Sequence, residues 1–159
     1  MIAFTGDPVR DRNQRVADQG THSGAPLLAA AGVANLTELS TGEVQRQING
    51  QGDELTARLN ESFRQRGIKG CGYNVGSIVR FHVGDTAEEL GLPYPTDSRL
   101  DKPHGELGKR ITLAMLLEGV HVGGDAKSFL NAAMTDDDIR EIARAYDRTL
   151  ERLDAEGAI

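Results

Sequence analysis

Apolar side chains recur at helical spacing in several segments of the 159-residue chain. Apolar residues three or four positions apart form one face of an amphipathic helix. This spacing predicts helices over 26–39, 43–66, 106–118 and 136–155. The last of these has the clearest apolar stripe, formed by Ile139, Ile142, Tyr146, Leu150 and Leu153.

Residues with known end preferences flank these helices. Pro26 suits a first helical position, and Thr41 is expected to cap the second helix. Thr135 and Asp138 have the spacing of a capping box at the start of the last helix. Two glycines are expected to end helices in the left-handed conformation, Gly67 and Gly119.

The helix predicted over 43–66 contains two glycines near its middle, Gly50 and Gly52. A glycine inside a helix costs about 1 kcal/mol relative to alanine. Both positions are therefore expected to weaken this helix.

β-branched and aromatic residues between glycines predict the strands. Two short strands are expected within 70–83. Two more are expected at 120–122 and 128–133, joined by the turn Gly123-Gly124-Asp125. The fold class expected from the whole pattern is α/β, of the α+β kind: a short, mostly antiparallel sheet of three or four strands with helices on one face.

The beginning of the chain lacks such periodicity. Residues 1–25 contain Gly-Asp-Pro and a stretch rich in Arg and Asp, and they are expected to be irregular. The segment 91–105 contains several prolines and is expected to be a loop. Irregular segments of this length in compact domains usually serve a binding site or pack on another chain.

Charge and composition narrow the choice of partners. The net charge of −6 and the scattered arginines argue against nucleic acid, which requires clustered Lys and Arg. A single cysteine excludes an internal disulfide and any Cys-based zinc site, and it fits a reducing compartment. The sequence contains no long apolar run, so we expect a cytoplasmic protein that does not contact a membrane.

The sequence gives little support for a metal site or for a nucleophilic side chain. The four histidines have no metal-ligand spacing, so no metal site is expected. The acidic run 136–138 is explained by its position at a helix start. Cys71 lies between two glycines and is expected to be a small strand residue rather than a nucleophile.

One loop stands out, Gln19-Gly20-Thr21-His22-Ser23-Gly24-Ala25-Pro26, because it leads directly into a helix N-terminus. Unpaired backbone amides, the helix dipole and the hydroxyls of Thr21 and Ser23 could together hold a phosphate dianion. The alternative is that one of these hydroxyls only caps the helix. The pattern by itself leaves both interpretations open.

The sequence around this loop is AFTGDPVRDRNQRVADQGTHSGAPLLAAAG. It resembles class III aminotransferases of the glutamate-1-semialdehyde aminomutase type, in which a Gln-Gly-Thr run precedes an Ala-Ala-Ala-Gly helix. Two later segments are similar to the small C-terminal domain of that family: TGEVQRQINGQGDELTARLNESFRQRGIKGCGYNVGSIVRFHVGD and LAMLLEGVHVGGDAKSFLNAAMTDDDIREIARAYDRTLERL. The resemblance covers almost the whole chain. It implies the C-terminal part of an aspartate-aminotransferase-like fold.

The resemblance also implies a cofactor, pyridoxal 5'-phosphate, whose phosphate group Gly20 and Thr21 would bind. In the family this contact crosses a dimer interface, so the cofactor would be shared with another chain. Residues 1–40 would be an arm and interface helix of the large domain, and residues 41–159 the small domain that closes over an amino-acid or amino-aldehyde substrate. The sequence departs from the family at Asp18, His22, Ser23-Gly24-Ala25 and Met134, which concerns substrate identity more than fold.

The Schiff-base lysine of such enzymes precedes the phosphate-binding threonine, and no lysine precedes Thr21 here. The chain has lysines only at 69, 102, 109 and 127. No catalytic residue is therefore assigned, and the chain alone is expected to be inactive. Either the given sequence is part of a longer chain that includes this lysine, or the chain is one piece of a split enzyme. The partner would be a complementary lysine-bearing chain or another copy in a homo-oligomer. Two alternatives stay open: a non-catalytic subunit or interaction protein of the same fold, and a free-standing module that binds another phosphate.

Overall fold

The computed structural model describes residues 5–13, 20, 22, 24–86, 88–89 and 105–159. The chain divides into two compact units, Met1–Thr41 and Gly42–Ile159. The first unit contains the helices α1 (Pro8–Asn13) and α2 (Pro26–Leu39). The second contains the other helices and all strands of the described residues: α3 (Glu43–Arg66), β1 (Gly70–Val75), β2 (Ile78–Val83), α4 (Gly105–Leu117), β3 (Ser128–Phe129) and α5 (Asp136–Ala155).

The four helices predicted from apolar spacing are confirmed, with bounds that agree to within a residue. The capping box of α5 is also confirmed. Asp138 N donates to Thr135 Oγ1 at 3.2 Å, and Thr135 N donates to Asp138 Oδ2 at 2.7 Å. This bond from the Thr135 backbone is the main cause that lowers the pKa of Asp138. Left-handed glycines follow α3 and α4 as expected, with φ of +65° at Gly67 and +80° at Gly119.

Two expectations about the N-terminal half are wrong. Thr41 does not cap α3: the cap position is Gly42, which has a φ of +72°, and Thr41 Oγ1 donates to Glu38 O at the end of α2. The first 25 residues are not wholly irregular, because α1 begins at Pro8. Asp7 Oδ1 accepts from the amides of Val9 and Arg10 at 2.9 and 3.2 Å, so the Gly-Asp-Pro sequence starts a helix with a capping carboxylate.

The sheet has three antiparallel strands in the order β1-β2-β3, as the fold class predicted. Val75 pairs with Ile78 across a two-residue turn, and Ile78 pairs with Phe129. The strand expected at 120–122 is absent, and the one expected at 128–133 is reduced to Ser128–Phe129. The strand β3 is short because Leu130 N bonds to Ser77 O in the hairpin turn. Strand β2 begins at Ile78, so it offers no further backbone with which residues 131–133 could pair.

The core lies between one face of the sheet and the helices α3, α4 and α5. Val79 and Phe81 point into it from β2. The Phe81 ring packs between Phe63 and Tyr146, with ring centroids 5.1 and 5.2 Å apart. The predicted apolar stripe of α5 is buried in this core.

Close packing of α3 on β1 depends on glycines. A Cβ atom at Gly72 would lie 2.9 Å from Leu59 Cβ, so the helix can approach only a strand without side chains there. The two glycines within α3 differ. A Cβ at Gly52 would lie 2.3 Å from Gly76 O in the hairpin turn, whereas a Cβ at Gly50 would meet nothing within 4 Å. Of the two, only Gly50 weakens α3 as the sequence predicted, because no close contact requires glycine at that position.

The outer edge of β1 is occupied by a side chain of α3. Because Val75 and Ile78 close a two-residue turn, alternate residues of β1 direct their amides away from β2, and Gly72 is one of them. Asn60 bonds both backbone groups of Gly72: Oδ1 accepts from its amide at 2.9 Å and Nδ2 donates to its carbonyl at 3.0 Å. The Asn60 amide therefore takes the position of a neighbouring strand.

A bidentate ion pair joins α3 to α5. Arg66 Nε and Nη2 donate to the two carboxylate oxygens of Asp147 at 2.9 and 2.8 Å, and Ser62 Oγ donates to the same carboxylate. The bond from Arg66 is the largest cause that lowers the pKa of Asp147 below its ordinary value of 3.8. Burial opposes this shift.

Asp147→Asn is expected to destabilise the protein at neutral pH by on the order of 1 kcal/mol, because the carboxylate is 42% exposed and water screens the pair. A carboxyl with a lowered folded-state pKa stabilises the fold above its unfolded pKa, and this contribution is lost as the pH falls below about 3.8. Urea denaturation at about pH 7 and about pH 2 checks this. An equal difference between variant and wild type at both pH values would contradict the assignment.

Candidate functional site

The phosphate loop predicted from the sequence is described in part. Gly20 is exposed, and His22 and Gly24 lie in turns beyond it. Thr21 lies outside the described residues, as do Asp18 and Ser23. The phosphate contacts of Gly20 and Thr21 therefore stay predictions.

The loop ends in a tight turn that opens the helix. Ala25 N donates to His22 O at 3.0 Å, and Gly24 has a φ of +79°, a conformation that side chains rarely adopt. Ala25 occupies the cap position with extended backbone angles and makes no side-chain cap bond. Pro26 follows at the first helical position.

This helix start has the chemistry of an anion site. The first turn of α2 contains no acidic residue, and its cap residue offers no side-chain acceptor to the open amides. The helix has 14 residues, so its dipole places positive potential at this end. Amide donors and a positive helix end suit a phosphate dianion, so the described residues fit the cofactor group that the resemblance implied.

The helix α2 exposes apolar side chains on all sides. Within the described residues, no side chain of α2 is buried. Leu27 is 80% exposed, and Leu28, Val33 and Leu36 are each more than half exposed. A helix that is apolar around its circumference is normally covered by other protein. The interface role of α2 stays a prediction.

Two of the lysines have settings unsuited to a Schiff base. Lys69 Nζ lies 3.2 Å from Glu89 and 3.3 Å from Asp85, and hydrogen bonding to these carboxylates raises the pKa of Lys69. Lys109 Nζ is exposed and lies 3.0 Å from Glu106. A nucleophilic lysine needs a desolvated amine, whereas both of these amines are exposed and paired with carboxylates. Lys127 is half-buried beside β3, and Lys102 lies outside the described residues.

A cleft of about 480 Å³ lies between the segment after α4 and the first turns of α5. Its polar lining includes His121, Asn131 and Glu141. The volume is in the range of small-molecule sites. Sequence reasoning considered His121 only as a metal ligand and missed this position, because nothing in the local sequence indicates a cleft there.

The described part of the chain gives structural roles to the residues considered for metal or nucleophilic chemistry. It contains no group of three His, Cys, Asp or Glu side chains that could hold a metal ion. Asp138 is engaged in the capping box, and Asp137 Oδ1 accepts from Arg140 at 2.6 Å. Cys71 is a half-buried residue of β1, as expected. None of the helices within these residues is long and apolar enough to cross a membrane.

Known proteins similar to this chain are aminomutases and transaminases. The chain is 33% identical over 135 residues to the glutamate-1-semialdehyde 2,1-aminomutase of Methanoculleus marisnigri, covering 82% of this chain and 30% of that protein. The corresponding protein of Methanopyrus kandleri is 26% identical over 141 residues, covering 87% of this chain and 31% of the relative. No family model matches the chain.

Solved structures agree on the fold. A β-phenylalanine aminotransferase from Variovorax paradoxus superimposes with a TM-score of 0.70 and 25% identity, covering 91% of this chain and 32% of that structure. A transaminase with PLP bound gives a TM-score of 0.67 at 20% identity, covering 91% and 31%. The chain therefore spans about a third of the length of the proteins it matches. It belongs to the class III pyridoxal-phosphate-dependent aminotransferases of the glutamate-1-semialdehyde aminomutase type and corresponds to their C-terminal portion.

Proposed function

We propose that this chain supplies the cofactor-phosphate loop and the substrate-closing small domain of a pyridoxal-phosphate-dependent aminotransferase or aminomutase. The observation that carries this proposal is the alignment: more than four-fifths of the chain matches aminomutases, yet it spans only about a third of them. The lysine that holds the cofactor would lie in the part of such an enzyme that this portion does not include, either in the same polypeptide or in a complementary one. The chain alone would then be inactive.

In this proposal Gly20 and Thr21 bind the phosphate of a cofactor that is shared with the lysine-bearing chain. Gly20 would let the backbone approach the phosphate closely, and the Thr21 hydroxyl would donate to one of its oxygens. The start of α2 adds its amides and its positive potential. When bound, the pyridoxal ring supplies an electron sink for the substrate carbon. The residues of this chain fix the position of that ring without reacting.

We further propose a binding partner, a substrate class and a cellular location for this chain. The exposed helix α2 would pack in an assembly with the complementary chain or with another copy. The unit 42–159 would close over an amino-acid or amino-aldehyde substrate. The expected location is the cytoplasm.

Borohydride reduction tests where the cofactor is attached. With equimolar pyridoxal phosphate, we expect the purified chain to show no stoichiometric attachment to a single lysine of its own; Lys69 and Lys109, which are exposed and ion-paired, should give at most trace labelling. A complex with the lysine-bearing polypeptide should be labelled on that polypeptide. In the same complex, Thr21→Val should weaken cofactor retention about tenfold or more, since a hydrogen bond to a charged group contributes about 1.5–3 kcal/mol.

Thr37→Val is the matched control, because the Thr37 hydroxyl donates to Val33 O within α2 and is available for no phosphate. This variant should retain the cofactor like the wild type. A stoichiometric label on one lysine of the isolated chain, Lys69, Lys102, Lys109 or Lys127, found by mass spectrometry at equimolar cofactor, would contradict the proposal.

One observation favours the second candidate, a non-catalytic subunit of the same fold. Met134 stands where the resemblance leads us to expect histidine, and its side chain packs partly buried against the core. Its carbonyl accepts from Gln51 Nε2 at 3.1 Å. The residue has a packing role that needs no substrate. A complex that forms but neither retains the cofactor nor transfers an amino group would favour this candidate.

A further inference from the structure

We draw no further inference here: the strongest candidate, the cleft of about 480 Å³ between the segment after α4 and the first turns of α5, carries nothing, because Asp138 in its lining is engaged in the capping box, Glu141 is paired with Arg144 and Arg148, and nothing in the described residues shows what occupies it.

Discussion

Gly52→Ala is expected to destabilise the unit 42–159 by about 2 kcal/mol, whereas Gly50→Ala, two residues earlier in α3, is expected to stabilise it by about 1 kcal/mol. The added Cβ at position 52 would lie 2.3 Å from the carbonyl oxygen of Gly76. That oxygen belongs to the backbone of a tight hairpin turn, so it can move only with the turn. The steric cost of about 3 kcal/mol exceeds the gain of about 1 kcal/mol in helix propensity.

Gly50 provides the internal control, because a Cβ there meets nothing within 4 Å. Only the propensity gain remains, so the two substitutions should move the urea midpoint in opposite directions. If both variants were stabilised, α3 would not approach the hairpin as closely as the structure shows. If both were destabilised, the middle of α3 would depend on glycine for a reason other than contact with the turn.

Tyr146→Phe is expected to destabilise the same unit by about 2 kcal/mol, because it leaves buried polar groups without their partner. The Tyr146 hydroxyl donates to Ala126 O at 3.0 Å and lies 2.9 Å from Ser128 Oγ. A phenol has one hydrogen, so Ser128 must donate to Tyr146. Burial raises the pKa of Tyr146 to about 12, which keeps the hydroxyl protonated at neutral pH.

The bond to Ala126 is important because that residue has a φ of +58°, in the left-handed region. The Tyr146 hydroxyl helps to hold this unfavourable conformation within the turn Gly124–Ala126. Ser128→Ala should cost less than Tyr146→Phe, since it leaves the bond to Ala126 intact. Equilibrium denaturation of both single variants and the double variant measures the coupling. Equal costs for the two single variants would show that the turn does not depend on Tyr146.

Helices and the fold class were predictable from the sequence because long periodic segments repeat the same signal over several turns. The stripe of α5 and the capping pair Thr135 and Asp138 agree with each other, and both are confirmed. Short elements lack this redundancy. Val120 and Val122 have strand propensity, but Val120 N bonds to Met115 O at the end of α4, and Val122 packs in the core.

The candidate site was predictable only through resemblance. The Gly20 and Thr21 pair is too short for its pattern to separate phosphate binding from helix capping, and only its context in a known family favours the first. The structure adds that Ala25 makes no side-chain cap bond. The cleft beside His121 was not predictable, because its lining residues, all within 119–142, are brought together by turns that the local sequence pattern does not indicate.

The Asn60 side chain has a consequence for how copies of this molecule can meet. An open strand edge invites another strand to add to the sheet, and repeated addition leads to fibres. At β1 the Asn60 amide already occupies the donor and acceptor of Gly72, so an incoming strand would have to displace two bonds from a residue anchored in a helix. The Asn60 side-chain amide therefore opposes the addition of a further strand at the β1 edge of the sheet.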